Sequence, residues 1–174
     1  MPILGIIASQ GRVAPTAYES IATYTLGTAT STVTFDSIPA TFKHLQIRMS
    51  LTAAAPADTT IRFNGDTGSN YDSHLQRGTG TTTGGYYYAD TFAYIMFNIG
   101  FNTSVGITDI LDYTNTNKYT TIRSFTGFNN NGSGEVDFWS GLWSNTSAIS
   151  SFVLTAATTN FSVNSKFALY GIKG

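Results

Sequence analysis

His44-Leu45-Gln46-Ile47-Arg48-Met49-Ser50-Leu51-Thr52 sets an apolar residue at every second position. A period of two sends successive side chains to opposite faces of an extended chain, so this run predicts a β-strand with one face on a core and the other in water. The pattern recurs with Val33 and Phe35 in Thr32–Asp36, Ile61 and Phe63 in Thr60–Asn64, and Phe167 and Leu169 in Lys166–Gly171. Val136, Phe138 and Leu142 repeat it in Glu135–Trp143. Further strand candidates are Tyr18–Leu26, Tyr71–Arg77, Tyr87–Ile99, Gly106–Tyr113, Tyr119–Phe128 and Phe152–Thr155. Asn64-Gly65, Gly84-Gly85 and Asn131-Gly132 accept positive φ and read as turns, and Thr114–Lys118 reads as a hairpin loop. No stretch sustains a helical period. Roughly ten short strands separated by turn signals define an all-β sandwich or barrel.

The 174 residues suit one domain, and 41% hydrophobic with 14% aromatic residues is enough for a packed core. Residues 1–15 read differently, as an extended N-terminal arm ahead of a domain over 16–174. Met1-Pro2-Ile3-Leu4-Gly5-Ile6-Ile7-Ala8 is apolar, and Gly11 and Pro15 separate it from the first strand. It lacks the basic start and the length of a signal peptide, and no apolar run approaches the roughly 20 residues of a membrane span. Charged residues are 11%, against about 25% in ordinary domains, so Thr, Ser, Asn and Gly must cover the surface. Such a surface loses its water at little cost and suits burial against partner subunits. The nine Lys plus Arg are scattered and net charge is −1, which argues against nucleic acid as a partner. The absence of cysteine excludes disulfides, thiolate metal sites and a Cys nucleophile.

Catalytic constellations are weak. The two histidines are His44, on the polar face of its strand, and His74. Gly-x-Ser-x-Gly is absent, and Gly132-Ser133-Gly134 reads as a hairpin turn. Glu19 and Glu135 are the only glutamates, and neither stands in a context expected to raise its pKa. Nothing singles out a carboxylate pair from the eight aspartates, and Asp109 and Asp112 would point to opposite faces of a strand. Asn64–Asp72 has oxygen ligands at alternating places but lacks the spacing and final glutamate of a calcium loop. The expectation is no enzyme, no cofactor and no metal.

Aromatic residues offer the better candidates. Trp139 and Trp143 fall on the face of Glu135–Trp143 opposite Val136 and Phe138, and Phe92–Ile99 is apolar on both faces. Tyr94, Met96, Trp139 and Trp143 are therefore expected to form an oligomer or ligand face. Ile3, Leu4, Ile6 and Ile7 are expected to bind a partner through the arm.

Ile3-Leu4-Gly5-Ile6-Ile7-Ala8-Ser9 and Phe167-Ala168-Leu169-Tyr170-Gly171-Ile172-Lys173-Gly174 resemble the two ends of a family of small tailed-bacteriophage virion proteins. Between them, Ser37–Leu45, Arg62–Asp66, Asp109–Tyr113, Thr116–Tyr119 and Ser140–Trp143 agree with that family, whereas Tyr86–Tyr88 lies in a segment without a counterpart. The resemblance implies a jelly-roll-like antiparallel β-sandwich with no catalytic motif. It implies a particle component of a kind found among head-decoration and tail proteins. The leading expectation is a capsid cement or decoration protein on the outer capsid surface of a virion assembled in the host cytoplasm, binding the major capsid protein, and the low charge and the strands apolar on both faces suggest a homotrimer. The rival expectation is a tail-fibre or baseplate module that binds host-surface glycans through Trp139, Trp143 and Tyr86–Tyr88. Neither reading involves nucleic acid or a membrane.

Overall fold

The computed structural model describes residues 17–100 and 102–174. Alternating apolar residues become twelve strands among these residues: β1 (Tyr18–Thr25), β2 (Thr32–Phe35), β3 (His44–Leu51), β4 (Ala57–Phe63), β5 (Tyr71–Thr79) and β6 (Thr82–Asp90) in the first half. The second half supplies β7 (Ala93–Ile99), β8 (Ser104–Leu111), β9 (Thr120–Asn129), β10 (Gly134–Trp143), β11 (Phe152–Ala156) and β12 (Lys166–Ile172). They form two antiparallel sheets packed as a sandwich. One has eight strands in the order β1-β12-β3-β8-β9-β10-β5-β6, the other four in the order β2-β11-β4-β7. The chain changes sheet at most connections, so almost every strand lies beside partners distant in sequence.

The register lines side chains into rows that fill the space between the sheets. On the small sheet Phe35, Phe152 and Phe63 oppose one another across three strands, followed by Val33, Leu154 and Ile61. On the large sheet Leu45, Ile110 and Ile122 form the facing row. Trp143 and Tyr71 oppose each other on β10 and β5 and press on Phe63, with ring centroids 5.3 and 6.2 Å away. The Tyr71 hydroxyl accepts a hydrogen bond from the Phe63 N–H at 3.0 Å, so one buried polar contact also joins the sheets. The edge pair β1–β12 sets Tyr18 opposite Ile172 and Thr25 opposite Lys166.

Turns follow the residue chemistry at two expected places. Asn64 and Gly65 take φ of 49° and 69° between β4 and β5, and Asn131 and Gly132 take 54° and 126° between β9 and β10. Two expectations are corrected. Gly84-Gly85 lies inside β6, opposite Arg77 and Gln76, and the turn falls instead at Gly80, with φ 49°. Tyr87–Ile99 is two strands, because the chain leaves the large sheet after Asp90 and enters the small one at Ala93. Arg62 holds that crossing by donating to the Thr91 carbonyl at 3.1 Å. The expected arm over residues 1–15 lies outside the described residues.

Gly171 packs under the Phe42 ring so closely that a Cβ there would sit 2.3 Å from ring carbons. Gly171→Ala should therefore cost about 1–3 kcal/mol through overpacking, whereas Thr32→Asp, on the exposed face of β2, should stay within about 0.5 kcal/mol. Urea unfolding of the two variants checks both values.

Candidate functional site

Strand β10 sends Glu135, Asp137, Trp139, Gly141 and Trp143 inward and leaves Val136 and Phe138 outside, half exposed. The sequence separates these two sets correctly, but the expected direction is reversed. Trp139 and Trp143 are each 1% exposed and Met96 is 1% exposed, so none of the three presents a face to a partner or a sugar. Tyr94 is half-buried, stacked on Trp139 at 5.9 Å and edge-on to Phe97. Strand β7 is apolar on both faces because irregular pairing with β4 turns Ile95 and Met96 both inward, while Tyr94 and Phe97 close over Trp139 and Tyr88. The double-sided pattern is thus satisfied within the chain.

The exposed apolar surface lies on the outer face of the large sheet. Ile107, Phe125 and Phe138 oppose one another directly across β8, β9 and β10, at 45–58% exposure. The next row sets Val105 and Val136 on either side of Gly127, whose missing side chain leaves a floor between them. A Cβ on Gly127 would meet the Glu135 carbonyl oxygen at 2.7 Å, so the floor cannot be filled by a local substitution. The resulting groove has a volume of about 660 Å³ and is bounded by Arg48 on β3 and Phe128 and Asn129 on β9. From Arg48 a polar row runs on away from the groove, with Arg48 donating to Gln46 at 2.9 Å and Gln46 to Asp109 at 2.8 Å. No acid, base or nucleophile lies in the two apolar rows, so their chemistry is burial of surface and exclusion of water.

Beneath this face the same strand buries charge. Arg77 on β5 forms an ion pair with Glu135 at 2.7 Å and donates to Asp137 at 3.2 Å, while the Glu135 carboxylate accepts from Asn98 at 3.3 Å. The guanidinium lies 4.8 Å from the centre of the Phe97 ring. Two buried carboxylates thus share one cation. Burial, and then the hydrogen bond with Glu135, push the Asp137 carboxyl up to about 7. Glu135 is buried because its strand face points into the sandwich, where Arg77 and Asn98 meet its carboxylate. Its placement on one face with Trp139 and Trp143 was the signal available in the sequence.

The other residues considered from the sequence have structural partners. In the Asn64–Asp72 loop, the Asp66 carboxylate accepts from Gly68 N–H at 2.9 Å, from Asn70 at 3.0 Å and from the Trp143 indole N–H at 2.9 Å. Those donors, the Gly68 amide foremost, hold its carboxyl down at about 2. The loop oxygens point at protein donors, and no cluster of three or more His, Asp or Glu is assembled among the described residues. Asp112, at positive φ, pairs with Lys118 and with Lys43, at 2.9 Å from the latter, and its carboxyl is likewise held at about 2 by the Lys118 and Lys43 contacts. His44 accepts from the Asp112 N–H through Nδ1 at 2.9 Å. Tyr86 and Tyr87 are exposed on edge strand β6, and the Tyr87 hydroxyl donates to Asp72 at 2.6 Å. Ile3, Leu4, Ile6 and Ile7 lie outside the described residues. Compared with protein-family models, with curated proteins and with solved structures, the chain finds no match.

These carboxylates give stability opposite pH dependences. Folded Asp137 keeps a proton that the unfolded chain loses at the ordinary 3.8, so stability falls as pH rises from there to about 7. Asp66 and Asp112 stay ionised down to about 2, so the stability they add is present above 3.8 and lost as pH falls below it. Thermal unfolding should show a maximum near pH 4–5. Asp137→Asn should flatten the decline between pH 3.8 and about 7 while leaving the acid-side decline in place.

Proposed function

We propose that the protein is a virion structural component, a cement protein that ties major capsid subunits together on the outer surface of a bacteriophage head as a homotrimer. The observation that carries this reading is the order of the strands. A jelly roll pairs its first, eighth, third and sixth strands in one sheet, and its second, seventh, fourth and fifth in the other. Taking β2 as the first strand, β2-β11-β4-β7 has the former order, and β3, β8, β5 and β6 have the latter once β9 and β10 are read as an inserted hairpin. That architecture agrees with the family the two chain ends resemble.

Composition supports the same role. A surface with 11% charged residues loses water cheaply against neighbouring subunits. A sandwich whose loops are fixed by Asp66 and Asp112 offers a stiff body, and symmetric repetition converts weak contacts into firm attachment. The glycan-binding rival is weakened because Trp139 and Trp143 are buried.

Sedimentation at micromolar concentration should give the mass of three chains. Purified protein added to undecorated heads should bind in hundreds of copies and raise their resistance to heat. A monomeric mass counts against the trimer, and a few copies confined to one end of the particle would sink the cement reading in favour of a tail module.

A further inference from the structure

We infer that the apolar groove on β8–β10 is the docking site of the chain's own N-terminal segment, Ile3–Ile7. The inference does not depend on the cement reading. Ile107, Phe125 and Phe138, with Val105 and Val136, leave an apolar surface that the described residues do not cover. Monomeric proteins rarely leave a contiguous patch of this kind without a use for it. Met1–Ala8 supplies a matching occupant: it carries four large aliphatic side chains and no charged one.

The tether fits. The segment joins the described structure at Ala17, whose carbonyl accepts from Lys173 N–H at 3.1 Å, next to the edge strand of the sheet that carries the groove. Ten residue steps separate Ile7 from Ala17, an extended reach of about 33 Å. Strand β8 is the third from β1 and β10 the fifth, or about 14 and 24 Å across the sheet. The Arg48 row lies four residues beyond the His44–Ile172–Tyr18 row, or about 13 Å along it. Even the diagonal to Phe138 falls within the tether.

The outer face also provides a path. The Arg48 guanidinium lies 5.3 Å from the centre of the Tyr18 ring and 4.8 Å from that of Tyr170, and Arg48 stands opposite Ile107. Tyr18, Tyr170 and the Arg48 stem therefore form a continuous surface from the first residue of β1 to the edge of the groove. A segment tethered at Tyr18 meets this path at a far higher effective concentration than any second molecule would. That favours the chain's own segment over the segment of a neighbour.

The chain has no cysteine, so engineered thiol pairs give an unambiguous readout. In the full chain, Ile6→Cys is combined with Val105→Cys or Val136→Cys in the groove, or with Thr34→Cys on the exposed face of the small sheet as control. Under mild oxidation the groove pairs should close a disulfide within one chain and protect both thiols from alkylation, and the control pair should not. Equal reaction at Thr34, or no reaction in the groove, overturns the inference. A disulfide between two chains overturns it in favour of a second copy's segment, and dimers formed by Val105→Cys alone indicate face-to-face packing of two sheets instead. A second measurement leaves the sandwich unaltered. Ile6→Asp should raise binding of an apolar fluorescent dye severalfold, and adding Phe125→Ser should remove that gain; no rise in dye binding counts against the docking.

Discussion

Trp139 and Trp143 stand four residues apart on β10 and both turn inward. The pleat of a strand then leaves no choice for the residues between and around them. Glu135 and Asp137 must follow the indoles into the sandwich, and Val136 and Phe138 must face out. Each aromatic ring of this size buries about 150–250 Å², and Trp143 in addition anchors the crossing loop through Asp66. Two indoles in the core outweigh the exposure of a valine and a phenylalanine. The cost appears as charge in the interior, offset by Arg77 and by a proton retained on Asp137.

The apolar outer face and the buried ionic cluster are consequently one feature seen from two sides of β10. Strands β8 and β9 reinforce it. Thr108, Ser124 and Thr126 turn inward beside the acids, with Thr108 and Ser124 hydrogen-bonded at 2.8 Å, while Ile107 and Phe125 turn outward. At the end of β8–β10 that holds the acids, the sheet is therefore polar within and apolar without, whereas Ile110, Ile122 and Trp143 at the other end lie within, as do Leu45, Ile47, Phe167 and Leu169 on β3 and β12. The small sheet explains the difference. Its β2, β11 and β4 supply the Phe and aliphatic rows, and only the edge strand β7, with its irregular pairing, covers the acids.

Much of this architecture was legible in the sequence. The strict alternation of His44–Leu51 gave β3 with its faces correct, and the boundaries of β2, β9, β10 and β12 fall within a residue or two of the alternating runs. Alternation separates two faces but does not say which one is inside. In β10 both faces carry apolar side chains, so the direction depends on what the opposite sheet offers, and that is set by residues 80 positions away such as Phe63. The same blindness hid the Glu135–Asp137 pair. The break between β6 and β7 was missed because Asp90 and Thr91 interrupt an otherwise mostly apolar run by only two residues, and it is these two, with Arg62, that make the crossing.

The register of the outermost pair has a mechanical consequence. Tyr18 lies opposite Ile172, so the first residue of β1 and the last of β12 emerge side by side at the same end of the ladder. A pull applied between the chain before Tyr18 and the chain after Ile172 loads the hydrogen bonds of that pair singly, beginning at the open end. Tension in that direction peels the edge as a zip and meets little resistance. Opposing forces on β3 and β8, whose bonds run in parallel across the middle of the sheet, would have to break many at once. The sandwich is soft where its ends leave it and stiff across its breadth.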